Sequence, residues 1–215
     1  DGVTTVTGKP RDLGRFKVGQ TLAITPGDVV YQNRLVELIR YHPKTVDVAR
    51  PAIFIVPAWI MKYYILDLSP ENSLIAYLVS KGFEVFTLSW KNPGREDADL
   101  DLNDYLRLGI TEPLDWMKAE HGMEQVHAVG YCLGGTLLAI AAAAAGGADT
   151  GTPFHTLTLL ASQTDFTEPG ELGTFMSEAQ VAYLEDLMAE QGYLEARQMA
   201  AAFQMLRPAD LIWSR

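Results

Sequence analysis

A chain of 215 residues, 48% of them hydrophobic, can bury a sizeable core, which excludes a disordered segment and points to one globular domain with a small appendage. Its formal net charge of -10 and pI near 4.8 argue against nucleic acid or an anionic membrane as a general partner, since both attract a cationic face. The single cysteine excludes an internal disulfide and fits a reducing, cytoplasmic setting.

The opening DGVTTVTGKPRDLG carries no signal-peptide segment, no apolar run reaches the roughly 18–20 residues of a membrane span, and a start at Asp1 rather than Met is expected of a piece of a longer protein. After a polar first 25 residues, near-alternation through Val29, Tyr31 and Leu35 predicts an opening strand within 25–41. AIFIV (52–56), closed by Pro57, predicts a buried strand. SPENSLIAYLVSKG (69–82) predicts a helix with Ser69 as cap, Pro70 and Glu71 in its first turn and Gly82 as its stop. FEVFTLSW (83–90) is the next strand, and 101–122 reads as helix with a kink or restart at Pro113. QVHAVG (125–130) is a strand, TLLAIAAAAAG (136–146) a helix and FHTLTLLAS (154–162) a strand. This alternation over residues 50–162 implies a mainly parallel sheet with helices on both faces, hence an α/β fold. Residues 171–215 abandon the alternation for amphipathic, Met-rich, helix-forming sequence, and a helical appendage is expected there.

Between the 125–130 strand and the 136–146 helix stands GYCLGGT (130–136). A strand ending in G-x-nucleophile-x-G-G and running straight into a helix has the arrangement of a nucleophile elbow. The nucleophile's backbone is forced into a sparsely allowed region, and Gly130 and Gly134 remove the Cβ atoms that would keep strand and helix apart, with Gly135 relaxing the turn further. The elbow places Cys132 at the positive end of the following helix, which favours thiolate over thiol. The Leu133 amide is then one oxyanion donor, and the loop PAWIM (57–61) supplies the second through Trp59 and Ile60. Two blander readings compete: Cys132 as a small buried hydrophobe, and the glycines as a phosphate cradle, although no Lys-Ser/Thr follows them. A thiol suits one chemistry in particular. Transfer from a thioester donor to cysteine yields another thioester, so the acyl group stays activated for attack by an alcohol.

FKVGQTLAITPGDVVYQN (16–33), VPAWIMKYYILDLSPENSLIAYLVSKGFEVFTLSW (56–90), VGYCLGGTLLA (129–139) and DFTEPGELGTFMSE (165–178) together resemble the polyhydroxyalkanoate synthases, most closely the class I, short-chain type. GYCLGG alone is also found in dienelactone hydrolases, whereas WIMKYYILDLSPENS is far more specific. The resemblance implies an α/β-hydrolase core and a helical cap inserted after the sixth strand. It also implies polymerisation of (R)-3-hydroxyacyl-CoA with release of CoA by a Cys-His-Asp triad. It makes Cys132 the nucleophile and puts the triad Asp and His beyond Arg215, so that 1–170 is the N-terminal part of a truncated core and 171–215 the start of the cap. His42, His121, His127 and His155 are then structural, and Asp165 caps or fixes the way into the cap. PAWIM departs from the family's PPWIN, which weakens the assignment of that loop to the oxyanion hole. By the same resemblance the chain alone is expected to be inactive.

No metal or resident cofactor is expected, because the CoA thioester is substrate. The expected partners are hydroxyacyl-CoA, the polyester product, the remaining C-terminal half of the domain and a second copy through the cap region. Lys62 is a candidate for the CoA phosphates. The apolar cap residues, Phe175, Tyr183, Leu184, Leu187, Met188, Phe203, Met205 and Leu206, form a dimer or granule surface or else pack on the missing half. The expected location is cytoplasmic, at or near the granule surface. The rival readings are a cysteine hydrolase of the dienelactone type and a non-catalytic interaction protein on the same fold.

Overall fold

The computed structural model describes residues 17–147, 151–168 and 177–194. The first strands, β1 (Gly27–Gln32) and β2 (Val36–Tyr41), pair antiparallel, so the stretch expected to hold one strand holds a hairpin. Asn33 is the reason: its Oδ1 accepts from the amides of both Leu35 and Val36 at 2.9 Å and reverses the chain. β3 (Ala49–Val56) begins earlier than its apolar run suggests and is followed by the loop 57–62 and a 3-10 turn over Tyr63–Leu66.

β4 (Asp67–Ser69) and β5 (Asn72–Ser73) form a two-stranded ribbon where the sequence suggested the start of a helix. α1 (Leu74–Ser80) is capped by Ser73, not Ser69, and the Ser73 hydroxyl accepts from the Ala76 amide at 2.8 Å. The physical cause is Asp67. Fully buried, it takes hydrogen bonds from Ser73 Oγ (2.6 Å), Thr25 Oγ1 (2.8 Å) and the Thr25 amide (3.2 Å), and these bonds hold 67–73 extended across the N-terminal segment.

β6 (Phe83–Trp90) lies as expected, and the predicted 101–122 helix is divided. α2 (Leu102–Leu106), capped by Asp101, runs through a π turn at Arg107–Thr111 into α3 (Glu112–His121), with Pro113 in the first turn of α3. β7 (Val126–Tyr131), α4 (Leu133–Gly146), β8 (Phe154–Leu160) and α5 (Glu178–Gln191) complete the order.

The main sheet has the order β1-β2-β6-β3-β7-β8, with β6, β3, β7 and β8 parallel and the β1-β2 hairpin antiparallel at one side. Period-2 alternation in β3 builds two cores. Ala52, Phe54 and Val56 meet Leu114 and Met117 of α3 and Leu137 and Leu138 of α4, while Ile53 and Ile55 meet Ile75 and Val79 of α1 on the other face. The doubly covered parallel sheet read from the sequence is thus present. α5 buries none of its side chains; Val181, Tyr183, Leu184 and Met188 are exposed. The rest of the expected appendage, including Phe175, Phe203, Met205 and Leu206, lies outside the described residues, as do residues 1–16.

Candidate active site

Cys132 sits where β7 ends and α4 begins, at the carboxyl end of the parallel strands. Its backbone has φ 54° and ψ -127°, a conformation that L-residues rarely adopt and that costs about 1–3 kcal/mol. α4 starts at Leu133, three residues earlier than its alanine-rich run suggests, so Cys132 itself is the cap residue. As the first helical residue, Leu133 has no carbonyl four residues back within the helix for its amide to bond.

The glycines are each required by a neighbour. A Cβ on Gly130 would overlap the Cα of Gly135, and one on Gly134 would run into the carbonyls of Val56 and Pro57. Gly135 does more than relax the turn: a Cβ there would strike the Ser162 side chain and approach the Gly130 carbonyl to 3.1 Å. Outside the turn, the Cys132 amide donates to the Leu160 carbonyl at 2.9 Å and the Thr136 hydroxyl donates to the Gln163 carbonyl at 2.7 Å.

β3 pairs with β7, Val56 opposite Gly130, so the 57–61 loop and the Cys132 turn emerge side by side. The Met61 amide donates to the Ala58 carbonyl at 2.9 Å and closes the turn that contains Trp59 and Ile60. The Trp59 ring meets Trp90 and Tyr105 edge-on, with centroids 6.4 and 5.5 Å away. Burial, with the Asp97 charge nearby, pushes the Tyr105 phenol above its ordinary pKa.

The four histidines lie at the other end of the strands. His127 is five residues before Cys132 on β7, roughly 16 Å of extended chain. It bonds Thr156 at 2.7 Å and meets His155 edge-on. His42 pairs with Asp28 at 2.7 Å beyond the amino end of the sheet. His121 ends α3 against Trp116 and Phe86, where burial and the nearby Arg40 hold its pKa below the usual value. Asp165 accepts from the amide and hydroxyl of Thr167, bonds that depress its pKa and make it a turn cap.

Lys62 is exposed on the rim of a groove of about 490 Å³ that also takes in Glu37, Tyr64, Arg34 and Lys91. The last two cations are already paired with Asp97. No motif in the sequence announces Trp90 or Asp67, which only the burial of an indole and of a carboxylate singles out, or Gly109 and Leu160, which matter through a missing Cβ and a backbone carbonyl.

A parallel α/β sheet with a strained residue on a glycine-packed strand-to-helix turn defines a class, and the chain belongs to the alpha/beta hydrolase fold family, whose model matches residues 51–215. Residues 3–78 match a second model, described as the N-terminus of poly-beta-hydroxybutyrate polymerase. The sequence is similar to the poly(3-hydroxyalkanoate) polymerase of Methylorubrum extorquens, 48% identical over 204 residues, which are 94% of this chain and 33% of that protein. It is 35% identical over 210 residues to the corresponding polymerase subunit of Cupriavidus necator, covering 94% of this chain and 35% of that one. The chain therefore spans about a third of the length of these curated relatives. A solved structure from Agrobacterium vitis S4 shares the fold, with TM-score 0.52 and 17% identity over 80% of this chain and 62% of that one. The polyhydroxyalkanoate synthase resemblance drawn from the motifs is borne out by these matches. Among the described residues no helix is long and apolar enough to cross a membrane.

Proposed function

We propose that the full-length protein is an acyltransferase that polymerises (R)-3-hydroxyacyl-CoA into polyester and releases CoA. The observation that carries this reading is the strained Cys132 at the carboxyl end of β7, in a chain similar along 94% of its length to poly(3-hydroxyalkanoate) polymerases. The Cys132 thiolate attacks the thioester carbonyl, the C–S bond to CoA breaks, CoA leaves as thiolate, and the acyl group remains as an enzyme thioester. The hydroxyl of another unit then attacks the carbonyl of an acyl thioester: the ester C–O bond forms, the C–S bond breaks, the sulfur leaves as thiolate, and the hydroxyl proton passes to a base. No histidine of this chain stands at that end of the sheet, so the base is expected from the remainder of the polypeptide. The Leu133 amide and the amides of Trp59 and Ile60 serve as oxyanion donors, and the exposed Lys62 that follows the 57–61 loop is the candidate for the CoA phosphates.

In this reading α5 belongs to a helical cap, and its exposed apolar side chains suit packing on the remaining half-domain or on a second copy. The enzyme works in the cytoplasm, at or near the growing granule. CoA release from 3-hydroxybutyryl-CoA by the full-length protein and by its Cys132→Ser variant tests the reading. Loss of CoA release in the variant supports it, and undiminished release overturns it.

A further inference from the structure

The loop 57–61 is held by one hydrogen bond that its own residues do not supply. Trp90, the last residue of β6 and nearly buried, donates its indole Nε1–H to the Pro57 carbonyl at 2.8 Å. Proline has no amide hydrogen, so the carbonyl is the polar handle by which the backbone can be oriented at that position. The peptide unit is planar and trans, so fixing the Pro57 carbonyl also fixes the direction of the Ala58 amide and the start of the Trp59–Ile60 turn. The same Pro57 carbonyl lies against Gly134 of the elbow, so this bond governs the spacing between the loop and the Leu133 amide.

The indole is itself placed by an unusual piece of backbone. Gly109 is the middle residue of the π turn Arg107–Thr111, and a Cβ there would overlap the six-membered ring of Trp90. Tyr105, near the end of α2, stacks on the indole with centroids 5.6 Å apart and planes 21° apart. A π turn is rare and often lies at functional sites. Here its glycine and its widened backbone make the slot in which the indole aims its N–H at Pro57. A slot that only had to be filled would accept phenylalanine or leucine.

We infer that Trp90 is a positioning residue for the oxyanion loop: its N–H sets the orientation of the Pro57 carbonyl, and through it the amides of Trp59 and Ile60 opposite Leu133. The inference rests on the proposed cysteine acyl transfer, and its test separates the two. In the full-length protein, Trp90 is replaced by 3-benzothienylalanine, which keeps the two-ring shape and lacks only the N–H, and in parallel by phenylalanine. Loss of one aligned hydrogen bond should lower kcat for CoA release about tenfold with KM nearly unchanged. Alkylation of Cys132 by iodoacetamide, a displacement at saturated carbon that forms no oxyanion, should proceed at the parent rate. Gly109→Ala, which pushes the indole out of its slot, should reproduce the kcat loss. An isosteric variant with parent kcat, or a fall in alkylation that keeps step with kcat, overturns the inference. If Cys132→Ala also retains CoA release, the acyl-transfer reading itself fails; if that variant is dead and the benzothienyl variant is fully active, only the role of Trp90 fails.

Discussion

The amide of Cys132 donates to the carbonyl of Leu160 at 2.9 Å, so the end of β7 is tied to the end of β8 just where both strands turn out of the sheet. The residues that make the turns, Cys132 with φ 54° and Ala161 with φ 49°, are two of the three non-glycine residues with positive φ among those described. Such backbones persist only where the surroundings over-determine them. Here the Gly135 amide returns to the Cys132 carbonyl at 2.9 Å, and Thr136 reaches across to Gln163. Strain at Cys132 is therefore shared by two adjacent loops, and the glycines let those loops close.

Gly130→Ala tests this closure, because the added methyl would sit on the Gly135 backbone, which cannot yield without separating β7 from α4. The expected cost is about 2–3 kcal/mol of unfolding free energy, read from the denaturant midpoint. Gly146→Ala, at the end of the same helix and with nothing within 4 Å, should be neutral or stabilising by up to about 1 kcal/mol.

Much of this architecture is legible in the sequence because β-branched runs and glycine stops report directly on strands and turns. The four parallel strands and the strand-to-helix turn at Cys132 are readable on that basis. The β1-β2 hairpin is not, because its reversal depends on one Asn33 side chain bonding two amides, and alternation runs on through it. The helix cap was misplaced from Ser73 to Ser69 because both sit in cap-like settings, and only the buried Asp67 selects between them. Trp90 reads as one more core aromatic, since nothing local says that its N–H meets a carbonyl 33 positions earlier.

Asp67→Ala is expected to cost about 2–4 kcal/mol, because it leaves the hydroxyls of Thr25 and Ser73 and the Thr25 amide without their acceptor in a buried place. Thermal unfolding with a second probe on the N-terminal segment checks this. The segment should loosen with the variant because Thr25 loses both of its bonds to the Asp67 carboxylate, although the backbone bond from the Ala23 amide to the carbonyl of that residue remains.

Acid stability should carry the signature of Asp97. Desolvation, the largest influence, pushes its pKa up. The hydrogen bond from Lys91, the Gly94 amide and Arg34 more than offset this and leave the carboxyl below its ordinary value. A depressed folded-state pKa contributes stability that is present above the unfolded value, about 3.9, and lost as pH falls through the folded one. The difference in unfolding free energy between parent and Asp97→Asn should be flat from neutral pH to about 4 and shrink below it. A difference that grows on acidification would contradict the ion-pair account.

The 215-residue chain by itself should neither polymerise nor turn over hydroxyacyl-CoA, although Cys132 in the full-length protein should accumulate as an acyl thioester. Acylation needs a thiolate, and ester formation needs a base for the incoming hydroxyl. All four histidines of the chain stand toward the amino end of the sheet, engaged with Asp28, Thr156, each other or an aromatic pair, and Cys132 stands at the carboxyl end. Removing the base from a nucleophile-base pair costs several powers of ten, so any residual rate should fall to that of a simple thiol. The measurement is CoA release by the isolated chain with a thiol reagent, corrected for Cys132 itself, with circular dichroism to verify folding. Sustained turnover that Cys132→Ala abolishes would mean that one of these histidines reaches the elbow after all, and His127→Ala and His155→Ala would then identify which.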